Sequence, residues 1–287
     1  MNMATITTDR QLGDQVTDAQ LTKYADLIYK VTGIRISPQK KSLLSNRIRR
    51  RLKVTGIEGF EAYFNTIRKL GANDDEWIAF VQEITTHETY LFRDEVQWDW
   101  FRNTFLDEVA SAARRGERER ELRIWSAACS TGDECYTIAA CIAAVMPNYS
   151  QWKIEILGTD IGIGALEKAK QATFGERAMR LVPPSYSRRF FKKNDGDDPT
   201  WTAKEALSEM ITFRRHNLME PLRVVPFDLV LVKNVLIYFD APSKKTVLGH
   251  VRKLVRPGGL LLAGAAEGVS ELLGDLERDQ AWLFRLP

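Results

Sequence analysis

The chain has 287 residues, 44% of them hydrophobic and 28% charged, with 41 basic against 38 acidic side chains for a formal net charge of +3. That length gives one large domain or two modest ones with an ample core, and the near balance of charge excludes partner choice by average charge alone. No run of about 18 apolar residues occurs, which excludes an obvious membrane span.

The start, Met1-Asn2-Met3-Ala4-Thr5-Ile6-Thr7-Thr8, lacks the basic-then-apolar layout of a secretory signal. Cys129, Cys135 and Cys141 are odd in number and lack Cys-x-x-Cys spacing, so reduced thiols in a cytoplasmic protein are expected. His87, His216 and His250 are scattered, and no metal site is expected from them.

Residues 1–16 are polar and predicted to be a flexible N-terminus. Four helical patterns follow and predict a small helical domain over 17–84. Leu21, Tyr24, Leu27, Ile28 and Val31 recur at helical spacing and stop at Gly33. Ser37-Pro38 predicts an N-cap with proline at the first helical position, and Leu44, Ile48 and Leu52 carry that helix to Gly56. Phe60, Tyr63, Phe64, Ile67 and Leu70 form a third stripe, and Asn73 is expected to cap a fourth helix bearing Trp77, Phe80, Val81 and Ile84. A linker and connecting helix over 85–121 lead into a charged loop, Arg114 to Glu121.

From residue 122 to 287 the pattern alternates strand and helix, which predicts a parallel sheet covered on both faces. Expected strands are Arg123–Ala127, Lys153–Thr159, Phe227–Val232 and Gly259–Ala263, with Trp282–Leu286 as a last strand at the sheet edge. The stretch around 184–212, holding Asn194-Asp195-Gly196-Asp197-Asp198-Pro199, is predicted to be an exposed insertion.

The most telling segment is Arg123-Ile-Trp-Ser-Ala-Ala-Cys-Ser-Thr-Gly-Asp-Glu-Cys-Tyr-Thr-Ile-Ala-Ala140. It is a strand, a turn and a helix, the first β-turn-α of a nucleotide-binding sheet whose ligand sits at the strand's carboxyl end. Its loop has only Gly132, so it is not the dinucleotide pattern. Asp133-Glu134 opens the helix where a phosphate would want bare amides. A cationic ligand with an amino group, such as S-adenosylmethionine, suits that charge. Glu134 could pair with such an amino group or merely complement the helix dipole. Asp160, ending the second strand, could accept from ribose hydroxyls or cap the next helix. Asn234 and Tyr238 follow an unbroken apolar strand, where polar groups are costly unless they face a ligand. Tyr238 could equally be a core tyrosine with a satisfied hydroxyl.

Lys40, Arg47, Arg50 and Arg51 cluster on one side of the second predicted helix, opposite Leu44 and Ile48. A solvated face, nucleic-acid phosphate or an acidic protein helix could each explain the patch, although it lacks interleaved aromatics for base stacking.

Six segments together resemble the CheR family, the chemotaxis-receptor protein-glutamate O-methyltransferases. They are Thr85-Thr86-x-x-Thr89-x-x-Phe92-Arg93, Trp125-Ser126-Ala127-Ala128-Cys129-Ser130-Thr131-Gly132-x-Glu134, Thr159-Asp160-Ile161, Phe213-Arg214-Arg215-x-Asn217-Leu218, Asn234-Val235-x-Ile237-Tyr238-Phe239-Asp240, and Leu254-x-x-Pro257-x-Gly259. They come in the family's order and cover about residues 20 to 287.

The resemblance implies a Rossmann-like S-adenosylmethionine-dependent methyltransferase domain, of α/β class, with a small all-helical N-terminal domain. It implies Thr89 and Arg93 at the methionyl end of S-adenosylmethionine, His87 as a further cofactor-binding position, Glu134 at the amino group and Asp160 at the ribose. Asn217 and Leu218 would hold the adenine, and Lys233 and Asn234 would lie near the transferred methyl. Arg93 and Tyr238 would stand nearest the substrate carboxylate. The basic patch would dock on cytoplasmic signalling helices of chemoreceptors, with S-adenosylhomocysteine as the spent product. No nucleic-acid partner and no membrane insertion are implied.

Two departures matter. His87 stands where such sequences commonly have Asn, and Lys233 where they commonly have Arg. Lysine lacks the planar fork of arginine, so a bidentate contact there would be lost. The insertion lacks the glycine-spaced hairpin of family members that grip a receptor's tethering peptide. Two other functions compete with the enzyme: a non-catalytic receptor- or scaffold-binding module of the same fold, and a nucleic-acid methyltransferase. Val235-Leu236 in place of two prolines after Asn234 argues against the latter.

Overall fold

The structure, a computed structural model, describes residues 15–146, 148–264 and 267–287. The expected flexible N-terminus lies mostly outside them. Its last residue departs from expectation: Val16 is buried and its N–H donates to Ser45 Oγ at 3.1 Å. The chain divides into two compact units at Thr86/His87.

The first unit holds α1 (Asp18–Thr32), α2 (Lys41–Thr55), α3 (Phe60–Ile67) and α4 (Asp75–Ile84). Thr17 and Gln20 form a reciprocal capping box at the start of α1, and Gly33 ends it with φ 71°. Helix α2 starts three residues later than the proline signal predicts. Pro38–Lys40 is a 3-10 turn, and the Ser37 side chain makes no cap bond. Asp74, not Asn73, is the N-cap of α4. Tyr24, Ile28, Leu44, Ile48, Tyr63, Ile67 and Phe80 fill the core, and the buried Tyr24 hydroxyl donates to the Phe60 carbonyl at 2.7 Å.

The basic patch is mostly spoken for within this unit. Arg51 binds both carboxylate oxygens of Glu76, which also accepts from Tyr63 Oη. Arg47 donates to the Ile84 carbonyl and to Thr86 Oγ1, and Arg50 pairs with Glu83 at 2.8 Å. Three of the four expected docking cations thus hold α2 to α4 and the residues just after it.

The second unit begins with α5 (Glu95–Trp100), which runs through a π-helical turn, Phe101–Phe105, into α6 (Leu106–Arg114). Then come β1 (Glu121–Ala127), α7 (Asp133–Val145), β2 (Lys153–Asp160), α8 (Ile163–Gln171), β3 (Thr173–Gly175), α9 (Glu176–Met179), α10 (Pro184–Phe190), β4 (Phe191–Lys193), β5 (Thr200–Ala203), α11 (Glu205–Ser208) and β6 (Ile211–Arg215). The chain closes with β7 (Phe227–Val232), α12 (Ala241–Arg252), β8 (Val255–Ala263), β9 (Glu277–Gln280) and β10 (Leu283–Arg285).

The main sheet has the order β6-β2-β1-β7-β8-β10-β9. Its first five strands are parallel, and β10 and β9 are antiparallel additions. Every residue of β7 is buried, as a central parallel strand requires. Two expectations fail here. Ile211–Arg215, whose first two residues fall in the expected insertion, is strand β6 of the main sheet, and the strand near the C-terminus is not the edge, because β9 pairs outside it.

The insertion is also not simply exposed. Strands β3, β5 and β4 form a separate three-stranded antiparallel sheet. Phe190, Phe191, Ala203, Leu207 and Met210 from this region are buried in the same hydrophobic cluster as Tyr136 and Ile138 of α7. An exposed segment would have left those side chains in water, at roughly 1.5–3 kcal/mol for each large one.

Candidate active site

Parallel pairing brings the expected residues to one edge of the sheet. Ala127 of β1 lies beside Thr159 of β2 and Val232 of β7, and Asp160 lies beside Arg215 of β6. The segments that follow these strands therefore emerge together: Ala128–Glu134, Asp160–Gly162, His216–Leu218 and Lys233–Tyr238. Strand order runs one way from β1 through β2 to β6 and then returns to β7 on the other side. That reversal between β1 and β7 is where open α/β sheets form their ligand crevice.

The loop after β1 is tightly wound. Ala128, Ser130 and Gly132 all have positive φ, at 63°, 52° and 85°. A Cβ on Gly132 would stand 2.9 Å from the Ala169 methyl and 3.0 Å from the Phe213 ring, so both φ and space demand glycine. Cys129 N–H donates to the Thr159 carbonyl at 2.8 Å. Ser130 N–H donates to Asp160 Oδ2 at 2.9 Å, and Gly162 N–H donates to Oδ1 at 2.8 Å. The amides that would cradle a phosphate in other folds are turned on the protein's own carboxylate. Asp160 is 5% exposed. It braces two turns without being the α8 N-cap, which is Gly162. A carboxylate offers about four lone-pair positions, so two are left for ligand hydroxyls. His87 Nδ1 stands 3.6 Å from Asp160 Oδ1.

Glu134, in the first turn of α7, is oriented from below. The buried Ser126 hydroxyl of β1 donates to Oε1 at 2.8 Å, and Oε2 is the oxygen that faces Lys233. Lys233 Nζ lies 3.5 Å from that Oε2 and 3.3 Å from Asp94 Oδ2. Asp133 points elsewhere: it accepts from Thr131 Oγ1 at 2.6 Å, and burial raises its carboxyl pKa above the ordinary range.

Asn217 and Leu218 follow β6. Asn217 Oδ1 accepts from Met219 N–H at 3.1 Å, Leu218 is buried, and His216 N–H donates to the Asp160 carbonyl at 2.9 Å. Asn234 has φ 59°, and Tyr238 ends the short turn Leu236–Tyr238, partly exposed. Arg93 donates to the Glu88 carbonyl at 3.4 Å and lies 5.4 Å from the centre of the Tyr90 ring, neither of which neutralises its charge. Thr89 is partly exposed one residue before Tyr90.

Among the described residues, seven non-glycine positions have positive φ; Ala128, Ser130 and Asn234 lie in the segments that follow β1 and β7, and Phe92 and Asp94 flank Arg93. Such conformations cost roughly 1–3 kcal/mol each and persist where surrounding structure enforces them, commonly at functional sites.

Four residues of this crevice were missed from sequence. Ser126 was noticed only as part of a motif, although a lone hydroxyl in the strand Ile124-Trp125-Ser126-Ala127 was a visible signal. Asp94 and Trp98 gave none. Glu267, 1% exposed, accepts from Val235 N–H at 3.2 Å and so braces the Asn234–Tyr238 segment. Burial raises its pKa, while the amides of Asn234, Val235 and Ile237 pull the other way. A single acid in the apolar stretch from Gly258 to Val269 could have revealed it.

The residues fit a cationic nucleoside. Two carboxylates on the crevice keep acceptor positions, and Ser130 Oγ is buried without a hydrogen-bond partner. Comparison with known proteins agrees with that chemistry. Residues 87–280 match the CheR methyltransferase SAM-binding domain, and residues 19–85 match the CheR methyltransferase all-alpha domain. The chain belongs to the CheR methyltransferase family. Chemotaxis protein methyltransferase of Borreliella burgdorferi is 31% identical over 90% of this chain and 91% of its own length. Those of Salmonella typhimurium and Escherichia coli are 32% and 31% identical, each over 90% of this chain and 86% and 87% of their own lengths. This CheR-family protein is therefore an S-adenosylmethionine-dependent methyltransferase, with its methyl donor bound by the second unit. No described helix is long and apolar enough to cross a membrane.

Proposed function

We propose that this CheR-family enzyme acts in the cytoplasm and methylates glutamate side-chain carboxylates on the signalling helices of chemoreceptors, giving glutamate methyl esters. The observation that carries this reading is the pair of carboxylates at the strand-order reversal, Glu134 with Lys233 beside it and Asp160 bonded to the Ser130 and Gly162 amides.

Glu134 accepts the donor's ammonium on Oε2, because Ser126 already occupies Oε1. Asp160 takes the ribose hydroxyls on the lone pairs that Ser130 and Gly162 leave over. His87, beside Asp160, and Thr89 flank the donor from the segment before α5. Asn217 and Leu218 hold the adenine at the end of β6, and Lys233 and Asn234 border the methyl. When bound, S-adenosylmethionine supplies a sulfonium methyl open to in-line attack by a carboxylate oxygen.

A glutamate with a pKa of about 4.3 is already ionised at neutral pH, so no residue needs to act as a base. Opposite charges meet and vanish on the way to the ester, so water-exclusion and positioning are what the protein contributes. Arg93 and Tyr238 orient the incoming carboxylate. Arg93 must hold it lightly, since the charge it grips is lost on attack.

The test is transfer of a labelled methyl to a purified chemoreceptor cytoplasmic fragment, with alkaline release of labelled methanol as the signature of an ester. Label that stays on the receptor through alkali, or never reaches a glutamate although S-adenosylhomocysteine binds, would refute the reading.

A further inference from the structure

Lys233 Nζ is surrounded. Besides Asp94 and Glu134, it lies 3.4 Å from the Arg93 carbonyl and 5.0 Å from the centre of the Trp98 indole ring, and the side chain is only 3% exposed. An ammonium has three hydrogens, and here three oxygens lie within 3.5 Å of it. The indole is pinned in turn, since Trp98 Nε1 donates to the same Arg93 carbonyl at 2.6 Å.

Asp94 gives up a local role to be there. It is the N-cap of α5 and sits at φ 66°, yet its carboxylate makes no cap bond to the helix amides. N-cap aspartates ordinarily accept from the second or third helical amide, so this acid has exchanged a cap for Lys233.

The consequence concerns Glu134. Its Oε2, the oxygen assigned above to the donor's ammonium, is also the oxygen that Lys233 faces. Lys233 and the donor's ammonium would share that oxygen, and the more of the lysine's charge is met by other groups, the more strongly the oxygen holds the donor. We propose that Asp94 and Trp98 are positioning residues for the methyl donor: they retain Lys233 so that Glu134 Oε2 stays available to the donor's amino group. The proposal rests on donor binding by this crevice but not on which carboxylate is methylated.

The experiment is calorimetric titration of the full chain with two probes. S-adenosylhomocysteine carries the ammonium, and 5′-methylthioadenosine keeps the adenosine and thioether but lacks the amino-acid end. Asp94→Asn, a change at a half-exposed side chain, should weaken S-adenosylhomocysteine about tenfold while leaving methylthioadenosine within about twofold. In a Lys233→Met background, or Lys233→Gln should that variant fail to fold, Asp94→Asn should have no further effect, because the competing cation is gone.

The proposal is overturned if Asp94→Asn leaves both affinities unchanged, or if it weakens both probes equally. It is overturned too if the loss persists without Lys233, since Asp94 would then act on the ligand directly. A wild-type protein that binds neither probe would instead refute donor binding itself.

Discussion

Asp160→Asn probes the double duty assigned to this carboxylate. Its two oxygens accept from Ser130 N–H at 2.9 Å and Gly162 N–H at 2.8 Å in a buried setting. Asparagine offers one oxygen and one NH2 group, so whichever way it turns, one backbone N–H meets another donor. A hydrogen bond to a charged acceptor contributes about 1.5–3 kcal/mol, and that much should be lost from the second unit. At about 2–4 °C per kcal/mol for a unit of this size, its melting midpoint should fall by roughly 3–12 °C. Affinity for S-adenosylhomocysteine should fall with it, by about tenfold or more, since the ribose loses a charged acceptor. Differential scanning calorimetry and isothermal titration on the same preparation read both quantities. A variant that melts with the wild type would mean that the carboxylate does not brace the β1 loop. A variant that melts early yet binds with undiminished affinity would remove the ribose role and leave only the brace.

Glu267→Gln tests the buried acid behind Asn234. Because the folded pKa of Glu267 is raised, its contribution to stability is full below the unfolded value of about 4.3 and is lost as pH rises through the folded one. Glutamine has no such loss, so the wild-type melting point should decline relative to the variant as pH rises above about 4.3, and a pH-independent difference would refute the assignment. Gly158→Ala would place a Cβ 2.7 Å from the Phe213 ring and 2.8 Å from Cys135 Sγ. Overpacking of about 1–3 kcal/mol is expected by denaturant titration, and wild-type stability would show that the ring can move aside. In the first unit, Arg50→Glu should slow receptor methylation and leave S-adenosylhomocysteine affinity unchanged, an unaltered methylation rate counting against docking by the α2 surface. Arg51→Glu is the wrong probe for that purpose. It would set two carboxylates together beneath Tyr63 and should lower stability by about 3 kcal/mol, read by hydrogen exchange across α2 and α4.

Some of this architecture was legible because local chemistry dictates it. Gly33 and Gly56 end helices where a left-handed residue is needed, and the turn before α7 falls where one glycine and two small hydroxyl residues permit it. The apolar run Leu229–Val232 of β7 reads as a strand buried on both faces, and the lone acid before it, Asp228, is buried against Arg118 and Arg256. Strand β6 was missed because it is short and partly exposed, so its residues carry no continuous apolar signal. Strand β9, Glu277–Gln280, is entirely exposed and is a strand only because β10 offers it backbone partners.

The candidate site divides the same way. Asp160 ends a strand and Glu134 and Asn234 lie in the segments that follow strands, so all three could be named from the chain, whereas the brace on Asp160 and the Ser126 bond to Glu134 could not. Arg51 looked like part of a binding surface because its helix can be read alone. That it faces Glu76 and Tyr63 depends on how α2, α3 and α4 pack. What the sequence alone determined is the local: periodicity, turns and the residue types at strand ends, each set by interactions spanning a few residues. What the tertiary structure decided is the convergence of positions 94, 98, 134 and 233 on one ammonium. Long-range pairing of strands and helices sets those distances, and no spacing along the chain encodes them.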